Sequence, residues 1–239
     1  MGTVTGYRMA LVEYLNTFPF SIGLRLSGAD HQLEIEHVTP SECARLFKEG
    51  KVDISLCPVG ALDELPDYEI SGMYCIGADG VVGTVVLLSN IPLEKITSVR
   101  LDSHSRTSNQ LVQILAEHHW KQSWSFYFDD EKNLPETCLM IGDKVFEQKA
   151  HYKYKYDLAE AWKEMTGLPI VFAVWITRPG IPKEVMDTID HAFETGMEYI
   201  GSKESILEDW QKEYLLNFIS YPLDHDKLKA LRLYRSLSQ

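Results

Sequence analysis

Short apolar runs, each closed by a turn residue and several followed by a helix-start signal, constrain this chain more than any other feature in it. Residues 7–15 form one such run, stopped at Asn16-Thr17-Phe18-Pro19, and a helix is expected from Phe20. Residues 33–38 alternate apolar and polar, the period of a half-buried strand. Thr39-Pro40-Ser41-Glu42 then opens a helix, with Thr39 as N-cap, Pro40 at the first helical position and Glu42 closing a capping box. Gly50 ends it. Strands are expected at 52–57, 68–76 and 81–89. Strands alternating with helices are the mark of an α/β sheet.

The second half repeats the theme less regularly. A strand at 96–101 leads through a polar turn into a helix at 108–119. Short strands follow at 125–128 and 138–141, a helix at 157–165 stopped by Gly167, and a strongly apolar strand at 170–176. From Pro182 the chain reads as helical in three pieces, near 183–200, 203–217 and 224–237. This tail has no sheet of its own to cover and is expected to pack back on the first unit. Two lobes follow: residues 1–90 with 179–239, and residues 91–178. The crossings, near 89–92 and 176–179, are expected to serve as a hinge.

Charge narrows the partners. The chain of 239 residues carries 23 basic and 35 acidic side chains, a formal charge of −12. A nucleic-acid partner is excluded on that balance, because phosphate backbone calls for a basic face. An anionic ligand would need a few concentrated local donors. No apolar run reaches the length of a membrane span. The first six residues lack the basic and apolar stretches of a secretion signal. The four cysteines, Cys43, Cys57, Cys75 and Cys138, are dispersed and lack ligand spacing. The expectation is a cytoplasmic protein without metal or cofactor.

The residues best placed for chemistry are Ser105-Arg106-Thr107-Ser108, between a strand and a helix. Thr107 can cap that helix with Gln110 as its box partner, leaving free N–H groups that favour a carboxylate or phosphate. Arg106 can add a bidentate contact. The same residues also fit an ordinary capped helix with an exposed arginine. Asn16 follows a buried strand, where ligands of open α/β sheets sit, but asparagine is also a common turn residue. Gly142-Asp143 and Pro58-Val59-Gly60 occupy equivalent positions, and Thr84 can offer a hydroxyl. Asp143 can be a base, an orienter or a cap. Of eight histidines, His104 is nearest the 105–108 turn. No Ser/His/Asp arrangement, P-loop, GxGxxG or HExxH is present. Tyr152, Tyr154 and Tyr156 alternate with lysines, as on a surface strand.

Several motifs, in order, resemble those of the chorismate dehydratase family of the futalosine route to menaquinone. Tyr14-Leu15-Asn16 with Pro19 resembles the family's opening signature, and Asp53-Ile54-Ser55-Leu56-Cys57-Pro58 its Asp-φ-Ala-Leu-Ile-Pro segment. Gly80 to Ser89 is similar to its Gly-x-Val-x-Ser-Val-Leu-Leu-φ-Ser strand, and Leu101 to Ser108 to its Leu-Asp-x-x-Ser-Arg-Thr-Ser turn. Ile141-Gly142-Asp143, Tyr156-Asp157-Leu158, Thr166-Gly167-Leu168-Pro169, Phe172-Ala173-Val174-Trp175 and Ile219-Ser220-Tyr221-Pro222 follow in the family's order. Glu13, Val59 and Thr84 depart from it, each standing where a serine is usual.

The resemblance, over roughly residues 8–237, implies a two-lobed type II periplasmic-binding-protein-like fold of the α/β class. Its ligand cleft lies between the lobes and its helical C-terminal tail packs on the first lobe. It implies a lyase that dehydrates the dianion chorismate to 3-[(1-carboxyvinyl)oxy]benzoate. On that reading Ser105, Arg106, Thr107 and Ser108 hold a carboxylate, and Asn16 and Thr84 orient the ring or the leaving hydroxyl. Tyr14, Gly142 and Asp143 complete the binding set. Two alternatives stand beside it: the naphthoate-forming lyase of the same pathway, with a histidine base, and a non-catalytic solute-binding protein.

Overall fold

The apolar runs form the strands of two separate sheets. In the computed structural model, which describes residues 6–103, 105–129 and 134–238, β1 (Tyr7–Val12) lies parallel to β2 (Leu33–Val38), with Tyr7 opposite Leu33 and Val12 opposite Val38. Between them runs α1 (Phe18–Ser27), closed by Gly28 at positive φ. Next come α2 (Pro40–Lys48), β3 (Ile54–Pro58) and β4 (Glu69–Ala78). The Thr39–Glu42 capping box forms as the sequence dictates.

The chain then enters the second sheet through β5 (Val85–Ser89) and β6 (Ser98–Arg100). It continues into α3 (Arg106–Ile114), drawn out by a π-helical turn at Leu115–His119. β7 (Ser125–Tyr127), β8 (Thr137–Ile141), α4 (Lys144–Gln148), β9 (Tyr154–Asp157) and α5 (Leu158–Thr166) complete this lobe. β10 (Ile170–Thr177) returns to the first sheet. The tail comprises α6 (Lys183–Gly201), α7 (Asp209–Asn217), β11 (Ser220–Pro222) and α8 (His225–Leu237).

The strand order is β11-β4-β10-β3-β1-β2 in one sheet and β7-β6-β8-β5-β9 in the other. Both are mixed, and this moves the lobe boundaries read from the sequence. β5 pairs with β8 and β9, so it belongs to the second lobe rather than to residues 1–90. β10 pairs with β3 and β4, so it belongs to the first lobe rather than to residues 91–178. The crossings fall at residues 79–84 and 158–169, not at 89–92 and 176–179. Almost wholly apolar runs such as these pair equally well in either sheet, so their pattern holds no address.

Asp157 ties the two crossings together. Its carboxylate accepts from Val82 N at 3.2 Å and Gly83 N at 2.7 Å in one. It also caps α5 in the other, accepting from Ala159 N and Glu160 N. Most buried apolar side chains form one continuous core running through both lobes, and a smaller cluster around Leu88, Cys138 and Tyr152 covers the far face of the second sheet.

The tail packs on the first lobe through α6, which crosses α1 at glycine contacts. A Cβ on Gly23 would collide with the Ala192 carbonyl, and one on Gly196 with the Pro19 carbonyl. Only glycine at both positions allows this approach. No helix among the described residues is long and apolar enough to cross a membrane.

Candidate active site

The carboxyl ends of β1, β3 and β8 and the turns after β6 and before β5 converge on a cavity between the lobes. Counting the solvent at its mouth, it holds about 660 Å³ of empty space, and its lining is mostly apolar with a few polar groups, as in small-molecule sites. Val12, Leu56, Pro58, Ile76, Phe172, Ala173 and Ile219 supply apolar walls from the first lobe. Thr84, Ser105, Ser108, Ile141 and Gly142 face them from the crossing and the second lobe. Tyr14, Asn16 and Thr17 enter on the turn after β1. Among the described residues no charged side chain and no histidine lines the cavity.

The polar groups are held individually. Thr17, in the 3-10 turn Leu15–Thr17, donates from its hydroxyl to Val12 O at 2.6 Å and accepts from Tyr14 N at 3.2 Å. This fixes the turn that carries Asn16. Asn16 Oδ1 is buried and has no hydrogen-bond partner among the described residues. An unmet buried acceptor costs about 1–3 kcal/mol, which a ligand donor would recover. The Tyr14 phenol is held neutral by burial, reinforced by the negative charges of Asp102 and Asp143.

The helix that presents its N-terminus to the cavity starts earlier than the sequence suggests. Ser105, not Thr107, is the N-cap of α3: its backbone is extended and its Oγ accepts from Ser108 N at 3.2 Å. Ser105 Oγ also donates to Ser108 Oγ at 2.9 Å. A hydroxyl has one proton, so Ser108 keeps its own free for a ligand.

Thr107 then serves a different purpose. Its hydroxyl accepts from Gly60 N and donates to Phe172 O, each at 3.1 Å. Both partners belong to the first lobe, so Thr107 rivets the lobes and has no proton left to offer a substrate. Gly60 permits this approach, because a Cβ there would lie 2.9 Å from Thr107 N.

Arg106 corrects the expectation built on it. Its guanidinium pairs with Glu64 at 2.6 Å on the surface, half exposed, and does not line the cavity. On a helix, neighbouring residues point about 100° apart, so with Thr107 and Ser108 turned inward Arg106 faces out. Asp143 lies beside the cavity rather than in it. Its carboxylate accepts from Leu15 N across the lobes at 3.4 Å, and burial raises its pKa above the usual value. It lines a flanking groove with Glu13, His37 and Trp210. Glu13 is exposed there, turned away from the cavity. His104 lies outside the described residues.

The structure thus gathers Tyr14, Asn16, Thr84, Ser105, Thr107, Ser108 and Gly142 at one cavity. Sequence reasoning missed Thr17, whose spacing from Tyr14 was the available signal. It also missed Phe172 and Ile219, whose apolar segments read only as core. No group of three or more histidine, cysteine or acidic side chains is placed to hold a metal among the described residues.

Comparison with known proteins bears on this arrangement. The chorismate dehydratase of Thermus thermophilus is 26% identical over 222 residues, covering 80% of this chain and 78% of that one. Among solved structures, protein AF1704 from Archaeoglobus fulgidus matches at a TM-score of 0.70 and 16% identity, covering 97% of this chain and 96% of that one. The alkanesulfonate-binding protein SsuA from Xanthomonas axonopodis pv. citri, bound to MOPS, matches at a TM-score of 0.63 and 12% identity, covering 97% and 92%. These likenesses establish a periplasmic-binding-protein-like α/β fold. A family model described as menaquinone biosynthesis matches residues 7–239. With that match spanning nearly the whole chain, the protein belongs to the menaquinone biosynthesis family.

Proposed function

We propose that this protein is a chorismate dehydratase, removing water from chorismate to give 3-[(1-carboxyvinyl)oxy]benzoate in the futalosine route to menaquinone. The observation that carries the reading is the uncharged cavity. In it the buried Asn16 amide oxygen, which has no partner among the described residues, borders the same space as Thr84, Ser108 and the first turn of α3. The Thermus thermophilus relative supplies the substrate class.

The chemistry needs little from the protein. A ring C–H bond breaks and its electron pair closes the aromatic ring. The neighbouring C–O bond breaks, and the departing hydroxide combines with the released proton as water. Aromatisation drives the reaction, so catalysis rests on orientation and on stabilising the charge that builds on the leaving oxygen. One carboxylate of the substrate can itself take the proton, so the reaction does not depend on a dedicated protein base. The other carboxylate lies at the first turn of α3, held by backbone N–H groups, the helix dipole and the Ser108 hydroxyl. The Asn16 side-chain N–H and the Thr84 hydroxyl donate to the leaving oxygen as its charge builds.

Steady-state turnover of chorismate by the parent and by Asn16→Ala tests this reading. The parent should form the benzoate, and Asn16→Ala should lose kcat with KM little changed, because its contact strengthens in the transition state. Tight binding of chorismate without conversion would favour a solute-binding protein instead.

A further inference from the structure

Three buried tyrosines of the C-terminal tail each place a hydroxyl on a residue of the cavity. Tyr214 on α7 lies 2.8 Å from Thr84 Oγ1. Tyr221 on β11 donates to the Asn16 carbonyl at 2.9 Å. The Tyr234 hydroxyl on α8 lies 2.9 Å from both the Thr107 carbonyl and the Gln110 side-chain oxygen. A buried phenol must find some partner, and any core acceptor would do. That Tyr214 and Tyr221 find theirs on Thr84 and Asn16, both at the cavity, sets these two apart from mere packing.

We propose that the tail is the positioning shell of the site, with Tyr214 aiming the Thr84 hydroxyl and Tyr221 fixing the turn that presents the Asn16 amide. This rests on the dehydratase reading for what the two groups do. Tyr214 and Tyr221 touch no substrate and are positioning residues.

Either hydroxyl can donate in the 2.8 Å contact, and on this reading the donor is Tyr214. Thr84 is buried, and its Oγ1 has one proton and two lone pairs. With Tyr214 donating to it, the Thr84 proton is free for the leaving oxygen. Burial pushes the Tyr214 phenol well above its ordinary pKa, so it keeps the proton this arrangement needs. Its ring is locked edge-on against Phe146 of α4, with centroids 5.5 Å apart and planes at 89°. Tyr221 is likewise held edge-on to Phe20 at 5.6 Å. Its bond to the Asn16 peptide adds a further anchor to a turn held by the Thr17 hydroxyl and, at Leu15 N, by Asp143.

Tyr214→Phe and Tyr221→Phe each remove one oxygen and leave the ring packing intact. Each should lower kcat about three- to tenfold, the worth of one hydrogen bond, with KM near the parent's. The Tyr214→Phe effect should vanish in a Thr84→Val background, and the Tyr221→Phe effect in an Asn16→Ala background. Tyr152→Phe, which removes a buried hydroxyl bonded to Cys138 on the far face of the second sheet, should keep the parent's kcat. A second readout needs no turnover: in the ligand-free protein, NMR should show a lower order parameter for the Thr84 methyl in Tyr214→Phe. If the parent turns over chorismate while both tail variants keep its kcat, or Tyr152→Phe loses as much, the positioning role is wrong and the dehydratase reading stands. If the parent leaves chorismate unchanged, the dehydratase reading falls. The Thr84 methyl then decides alone: lost order supports the positioning role, and unchanged order overturns it.

Discussion

Whether a side chain reaches the cavity depends on where its neighbours anchor it, and Arg106 and Ser108 show the two outcomes within one helical turn. Arg106 leans on Glu64 at the surface, in an exposed pair of the kind worth at most about 1 kcal/mol. Arg106→Ala should therefore leave KM for chorismate close to the parent's. On the proposed reading Ser108→Ala removes a hydroxyl that meets a substrate carboxylate, a charge-assisted contact worth about 1.5–3 kcal/mol, and should raise KM about ten- to a hundredfold. Steady-state kinetics on the pair distinguishes the inward residue from the outward one, and equal effects would return Arg106 to the site. None of this was legible locally. Glu64 stands 42 residues before Arg106, and no spacing in the sequence connects them.

At the scale of elements, two contacts carry separable consequences. Thr107 joins α3 to Gly60 and to Phe172 of β10. Thr107→Val keeps the shape and leaves both partners unmet, so the melting temperature should fall by the equivalent of about 1–3 kcal/mol. Calorimetry of that variant measures the rivet. The second contact is Asp190 of α6, buried at 4% exposure, whose carboxylate accepts from Met73 N on β4. Burial pushes its pKa up to about 6 from an ordinary 3.8. The folded state therefore holds the proton more tightly than the unfolded one. The resulting stability is complete below about pH 4 and is lost as pH rises through about 6. Asp190→Asn keeps an acceptor for Met73 N and removes the titration. Its melting temperature relative to the parent should rise between those two pH values, and a flat difference would contradict the assignment.

The elements themselves were largely legible. The capping box at Thr39, the glycine stop at Gly167 and the alternation in β2 each encode their structure within a few residues. Sheet membership was not, because β5 and β10 are apolar but for their last residues, Ser89 and Thr177, and their partners are distant in the chain. For the same reason the tail tyrosines read as ordinary core residues, since their cavity partners lie over 100 residues away.

Across the whole molecule, the corrected crossings alter what closure can mean. Asp157 ties residues 82–83 to the start of α5, and Thr107 ties the second lobe to the first. The lobes are thus joined at the crossings and again at the cavity. Solution scattering should show little compaction when a benzoate product analogue binds the parent, and more in Thr107→Val, whose unliganded form is freer to open. A large compaction of the parent would mean that the rivet forms only with ligand.

The central claim is that this neutral cavity eliminates water from chorismate while leaving the enolpyruvyl ether intact. Incubation of the purified protein with chorismate, followed by mass spectrometry and proton NMR of the product, tests it most directly. The predicted product is lighter than chorismate by one water, aromatic, and still carries its vinyl protons. Unchanged chorismate, or a product that has released pyruvate, would contradict the account.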